Sequence, residues 1–89
     1  MVYLFLYNRS YGDTGEVRER LNSLEVIDEI RELFPYSFFL SSDVDANTIS
    51  AEIRRLFPDR RFMITEIGNN RQGWMPRRFW NFIRDNEDR

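Results

Sequence analysis

Val2 to Tyr7 (VYLFLY) is an unbroken apolar run of high β-propensity, which predicts a first strand. Alternation sets Tyr3, Phe5 and Tyr7 on one face and Val2, Leu4 and Leu6 on the other. Both faces are apolar, as expected of a central strand covered on two sides, or on one side plus a dimer. Residues 8–15 (NRSYGDTG) are turn chemistry, and Asp13 followed by Glu16 has the spacing of a capping box, so a helix should begin there. Val17, Leu21, Leu24, Ile27, Ile30 and Phe34 then recur at helical spacing up to Pro35. Asn22 and Ser23 are weak helix residues, and Asn22 to Glu25 can cap a second start. The spacing therefore predicts either one long helix or a broken pair.

Tyr36 to Ser42 (YSFFLSS) reads as a second strand, and Asp45 or Asn47 can cap a helix whose inward face is Ile49, Ile53, Leu56 and Phe57. Pro58 stops it, and Arg61 to Ile67 (RFMITEI) is a third strand with Met63, Thr65 and Ile67 opposite Phe62, Ile64 and Glu66. Residues 68–73 form the longest exposed loop. Pro76 suits a first helical position ahead of Phe79, Trp80 and Ile83, and residues 85–89 read as a solvated C-terminal tail. The predicted order is β-α-β-α-β-α in a single α/β domain over residues 1–84. A continuous first helix would make the first two strands parallel by a right-handed crossover, and a broken pair would allow an antiparallel sheet. Either way the expected class is α+β, a two-layer α/β sandwich on a sheet of three to four strands.

Composition narrows the chemistry. The 89 residues, 42% hydrophobic and 16% aromatic, suffice for one core, since such a chain buries roughly 60–65% of its unfolded surface. There is no His and no Cys, which excludes an imidazole base, a thiolate nucleophile, a disulfide and a zinc-thiolate site. Only hard, oxygen-ligated metals could bind. The VYLFLY run is too short and lacks the basic flank of a targeting segment, so the expectation is a cytoplasmic protein that neither enters a membrane nor calls for a cofactor. All 13 basic residues are Arg, whose planar fork suits phosphate, carboxylate or protein recognition.

Charge is unevenly distributed. Residues 1–45 hold nine acidic and four basic groups, whereas residues 46–84 hold three acidic and eight basic ones, within a net charge of −2. Arg54, Arg55, Arg60, Arg61, Arg71, Arg77 and Arg78 are interleaved with Phe57, Phe62, Trp74 and Phe79, the composition of a surface that clamps a nucleic-acid backbone and stacks bases. Against that, the whole chain is acidic and its acidic half would repel a long polyanion. Self-complementarity is the preferred alternative, with basic residues of one subunit meeting acidic residues of another across a two-fold axis. Trp80 falls on the apolar face of the last helix and is expected in the core. Trp74 is expected to pack as a core or docking residue at the loop exit, with an interface hot spot as the competing role. The aromatic face of the first strand has the look of a single-stranded RNA platform, but buried packing explains it equally.

Acidic candidates are weak. Asp43, Asp45 and Asn47 open an EF-hand spacing that fails at Thr48, where Gly is needed, and at Arg54, where a bidentate Glu is needed. Capping by Asp45 is the better account. A shared acidic site of Asp43 and Glu66 is the one metal arrangement the sequence allows.

The succession FFLSSDVDANTISAEIRRLFP, RFMITEI and GWMPRRFWNFI resembles small bacterial proteins described as SinR-like, which are similar to the ferredoxin-like nucleases of the CRISPR adaptation complex. The likeness covers the first strand and residues 38–83. It implies a ferredoxin-like fold and a tendency to form homodimers. In the nuclease relatives a carboxylate at the end of the first strand holds the catalytic metal, and the matching position here is Asn8. An amide lacks the anionic charge that draws Mg²⁺, so catalysis does not carry over. The expectation is a non-enzymatic dimeric protein-interaction module with no catalytic residues. Nucleic-acid binding through Arg54, Arg55, Arg60, Arg61, Arg71, Trp74, Arg77 and Arg78 is the first alternative, and a divalent-metal nuclease built on Asp43 or Glu66 the second.

Overall fold

The structure, a computed structural model that describes residues 1–87, places β1 (Val2–Leu6) inside a four-stranded sheet with partners on both edges. The chain continues through α1 (Thr14–Asn22), β2 (Glu29–Glu32), β3 (Ser37–Ser41), α2 (Ala46–Leu56), β4 (Met63–Glu66) and α3 (Arg77–Asn86). Strand order is β2-β3-β1-β4, and every adjacent pair is antiparallel. Phe5 lies opposite both Phe38 and Ile64, and Leu4 opposite both Phe39 and Thr65, so the alternation read along β1 extends across the sheet. The architecture is α+β.

The face carrying Tyr3, Phe5, Phe38 and Leu40 is covered by Val17 and Leu21 of α1 and by Ile49 and Ile53 of α2. This is the main core, and each of these side chains is fully buried. Sheet, α1 and α2 make a two-layer sandwich. The second face carries Val2, Leu4 and Phe39, and α3 lies against it through Phe79, Phe82 and Ile83. Phe82 stacks on Phe39 with ring centroids 6.4 Å apart. Trp80 packs on the rim of this smaller cluster while half-exposed, a more peripheral place than the core position expected of it.

Both helix starts read from the sequence are present. The Asp13 carboxylate accepts from the Glu16 N–H at 3.0 Å and Asp45 from the Thr48 N–H at 2.8 Å, satisfying donors that the first turn leaves open. The segment between α1 and β3 departs from expectation, being neither one long helix nor a helix pair. α1 ends at Asn22, where the Ser23 hydroxyl donates to the Arg20 carbonyl at 2.6 Å. Leu24 and Ile27 still reach the main core from the turns that follow. Ile30 reaches it from β2, so the apolar spacing persists after the helix has stopped. The true order is β-α-β-β-α-β-α.

Pro35 ends no helix. It sits in the β2–β3 hairpin, where the Ser37 N–H donates to the Phe34 carbonyl at 3.0 Å and the Ser37 hydroxyl bonds both backbone groups of Phe34. A type II turn requires a positive φ at its third residue and commonly has proline second. Tyr36 takes that third place at φ 66°, a conformation that Gly adopts more readily.

The C-terminal segment also departs from expectation. Pro76 is the N-cap of α3 and not its first residue, and the helix runs on to Asn86, which is buried and donates from Nδ2 to the Phe82 carbonyl at 2.8 Å. Residues 85–87 therefore belong to the helix and its cap, while Asp88 and Arg89 lie outside the described residues. Among the described residues no helix is long and apolar enough to cross a membrane.

Phe5 is 0% exposed and touches the rings of Tyr7, Tyr11 and Phe62. Replacing it by Ala should remove about 3–5 kcal/mol of stability, read as a fall in the urea midpoint. A loss below about 1 kcal/mol would mean that Phe5 is not at the centre of the core.

Candidate functional site

Of the eight residues that the sequence groups into one surface, Arg54, Arg55, Arg60 and Arg61 line one concavity, Arg71 and Trp74 a second, and Arg77 and Arg78 lie outside both on α3. The first lies where α2 turns into β4. Ile49 and Ile53 fix the inward face of α2, which leaves Arg54 and Arg55 on the outside of its last turn, where the unsatisfied carbonyls favour cations. Phe57 is buried against Tyr11, ring centroids 4.7 Å apart, and anchors the turn. Asp59 at φ 61° reverses the chain, a conformation Asp tolerates, and brings Arg60 and Arg61 back toward Arg54 and Arg55. The four guanidiniums line an open concavity of about 980 Å³ whose wall includes Phe57 and Phe62.

Charge in this concavity is largely uncompensated. Arg55 pairs with Glu52 at 2.6 Å. Arg54, Arg60 and Arg61 make no ion pair among the described residues. Arg60 faces the Tyr11 phenol, which burial pushes up and the Arg60 charge pulls partly back. The Tyr7 phenol is likewise raised, chiefly by burial, with Thr14 pulling it partly back, and among the described residues the Tyr11 hydroxyl has no hydrogen-bond partner. Arg20 is already engaged, donating to the Leu56 carbonyl at 3.3 Å with its guanidinium 5.4 Å from the Phe57 ring centre.

The second concavity lies on the α3 side of the sheet. Leu4, Phe39 and Ile67 form its floor, Leu33, Phe34, Trp74 and Trp80 its walls, and its volume is about 320 Å³. Trp74 is 101% exposed, so it is neither a core residue nor an anchor for α3, and Phe34 beside it is 58% exposed. Leu6 and Met63, neighbours across the β1–β4 ladder, are also exposed. Arg71 is not a free cation. It pairs with Glu87 at 2.6 Å and donates to the Gly68 carbonyl at 3.1 Å, tying the loop before α3 to the end of that helix. Arg77 and Arg78 are exposed on α3, with the Arg78 guanidinium 4.7 Å from the Phe79 ring centre.

The other candidates resolve locally. Tyr3, Phe5 and Tyr7 are buried beneath α1 and α2, so the aromatic face of β1 is closed to nucleobases. Asn8 accepts from the N–H and hydroxyl of Ser10 at 2.9 and 2.5 Å, capping a 3-10 turn over Arg9–Tyr11. Hydrogen bonds from Thr48 hold the Asp45 carboxyl below its ordinary range, as befits a helix cap. Glu66 pairs across from Tyr3, and the Tyr3 phenol is raised by burial first and then by the Glu66 and Asp45 charges. Among the described residues no group of three or more Asp or Glu side chains is placed to hold a metal ion.

No protein-family profile, curated protein or solved structure matches the chain. The sequence missed the role of Phe34, whose one signal was the Phe-Pro-Tyr run that builds the hairpin turn.

The Arg71 guanidinium donates to Glu87, and together with the positive charges of Arg71 and Arg84 it outweighs desolvation and holds the Glu87 carboxyl below its usual value. A depressed carboxylate stabilises the fold above its unfolded value, about 4.3, and that contribution is lost as pH falls through and below it. Glu87→Gln should therefore flatten the acid side of a Tm-against-pH profile relative to the wild type. Parallel profiles would show that the pair contributes nothing.

Proposed function

We propose that this chain is a non-enzymatic binding module of ferredoxin-like architecture that self-associates through the apolar ledge around Trp74. The sequence of elements from β1 to β4, with β1 and β3 central and α1 and α2 on one face, supports the ferredoxin-like assignment, and α3 is an addition to it. Both concavities are lined by cations and apolar side chains, the chemistry of recognition rather than of bond making.

The observation that carries self-association is the full exposure of Trp74 beside Phe34 over an open apolar groove. Contiguous exposed apolar surface marks an interaction site, and Trp is the side chain most enriched in interface hot spots. Covering one Trp removes roughly 150–250 Å² from water, worth about 4–6 kcal/mol at about 25 cal/mol per Å² before ordering costs are subtracted. A second copy suits this ledge because the one charged side chain lining the groove, Arg71, is neutralised by Glu87. Two ledges can therefore face one another across a two-fold axis without like-charge repulsion. Contact through the ledge does not depend on the charge-led pairing expected from the sequence.

Sedimentation of the wild type over a wide concentration range should give a monomer–dimer equilibrium. Trp74→Ala with Phe34→Ser should weaken it at least tenfold, about 1.4 kcal/mol, with little change in the urea midpoint because both side chains are exposed. A wild type that stays monomeric at every concentration would overturn the reading.

A further inference from the structure

We propose that the concavity between the end of α2 and the start of β4 binds the phosphodiester backbone of single-stranded nucleic acid, with Arg54, Arg60 and Arg61 as the phosphate-holding residues. The site is independent of the Trp74 ledge, which is built on the opposite face of the sheet by different elements. Three guanidiniums that make no ion pair among the described residues share one concavity with a fourth, Arg55, that Glu52 holds at 2.6 Å. Asp59 is the lone carboxylate in the lining. Like charges held together in this way repel, and an anion entering the concavity relieves that repulsion. The guanidinium fork matches two oxygens of a phosphate at once.

The shape selects among anions. A concavity of about 980 Å³, wide open to solvent, is far larger than one inorganic phosphate requires and accommodates a nucleotide with its neighbours' backbone. Phe62, half-buried in the wall and braced by Phe5 at 5.9 Å between ring centres, offers a rigid aromatic surface on which a base can stack, which an acidic peptide would not use. The acidic half of the chain, with nine carboxylates in residues 1–45, opposes a long rigid duplex. A flexible single strand can enter the concavity and leave again without crossing that surface.

The test is fluorescence anisotropy with a labelled single-stranded RNA oligonucleotide, a duplex of the same length, and a poly-glutamate peptide of matched charge, each titrated at several salt concentrations. Log K for the single strand should fall linearly with log salt, with a slope of about −0.7 per phosphate neutralised and hence about −2 for three. The triple variant Arg54→Ala, Arg60→Ala, Arg61→Ala should lose at least tenfold in affinity at low salt and most of that slope. These three side chains are exposed, and an unchanged circular dichroism spectrum verifies that the variant folds. The charge-matched triple Arg77→Ala, Arg78→Ala, Arg84→Ala on α3 should keep both affinity and slope. The proposal is overturned by absence of single-strand binding at low salt, by equal losses in the two triple variants, or by tighter binding of poly-glutamate or duplex than of the single strand.

Discussion

β1 is apolar on both faces and hydrogen-bonded on both edges, and that double demand organises the molecule. A strand of this kind cannot lie at a sheet edge or face water on either side without exposing several large side chains. Its edges are satisfied by β3 and β4. One face is satisfied completely, since α1 and α2 close over Tyr3 and Phe5. On the other face α3 covers Val2 and reaches Leu4, but Leu6 stays 36% exposed. The apolar ledge is thus the unfinished half of the same requirement.

The length of α3 explains why the cover stops where it does. Ten residues give a helix of about 15 Å, about 10 Å across, against a sheet of four strands spaced about 4.8 Å apart and up to five residues, about 17 Å, long, so a single helix seals only part of the face. Its place is fixed by Phe79, Phe82 and Ile83 against Phe39 and Val2. The Arg71–Glu87 pair closes the end of the helix onto the loop that leads into it. Sliding α3 toward Leu6 and Met63 would break these contacts, so the ledge is held open by packing that is already satisfied elsewhere.

Much of this was legible in the sequence because it depended on local rules. The two faces of β1, the caps at Asp13 and Asp45 and the inward side of α2 each follow from alternation, capping spacing or helical spacing alone. β2 was not legible, since only Ile30 of its four residues points to the main core and the other three are Glu29, Arg31 and Glu32. An edge strand held by backbone pairing to β3 leaves almost no trace in side-chain pattern. Trp74 and Phe34 were misplaced for a related reason. A large apolar side chain is assigned to the interior by default, and only tertiary geometry shows that the interior was full without them.

The arginine concavity was legible as composition but not as a place. Seven arginines interleaved with Phe57, Phe62, Trp74 and Phe79 in one half of the chain suggested a single surface, yet β4 and the loop before α3 carry Arg71, Arg77 and Arg78 to the far side of the sheet. What remains together does so for a local reason. The α2–β4 turn is short, and its reversal at Asp59 sets Arg60 and Arg61 opposite the last turn of α2, where the helix carbonyls already favour positive charge. The helix end offsets part of the repulsion among the four guanidiniums, while the described residues supply a carboxylate partner only to Arg55. A protein with 15 acidic residues has ample means to neutralise such a cluster. Among the described residues Glu29, Glu32, Glu52 and Glu87 pair with arginines, and of these Glu52 alone pairs within the cluster, which leaves the charge on Arg54, Arg60 and Arg61 open to an anionic ligand.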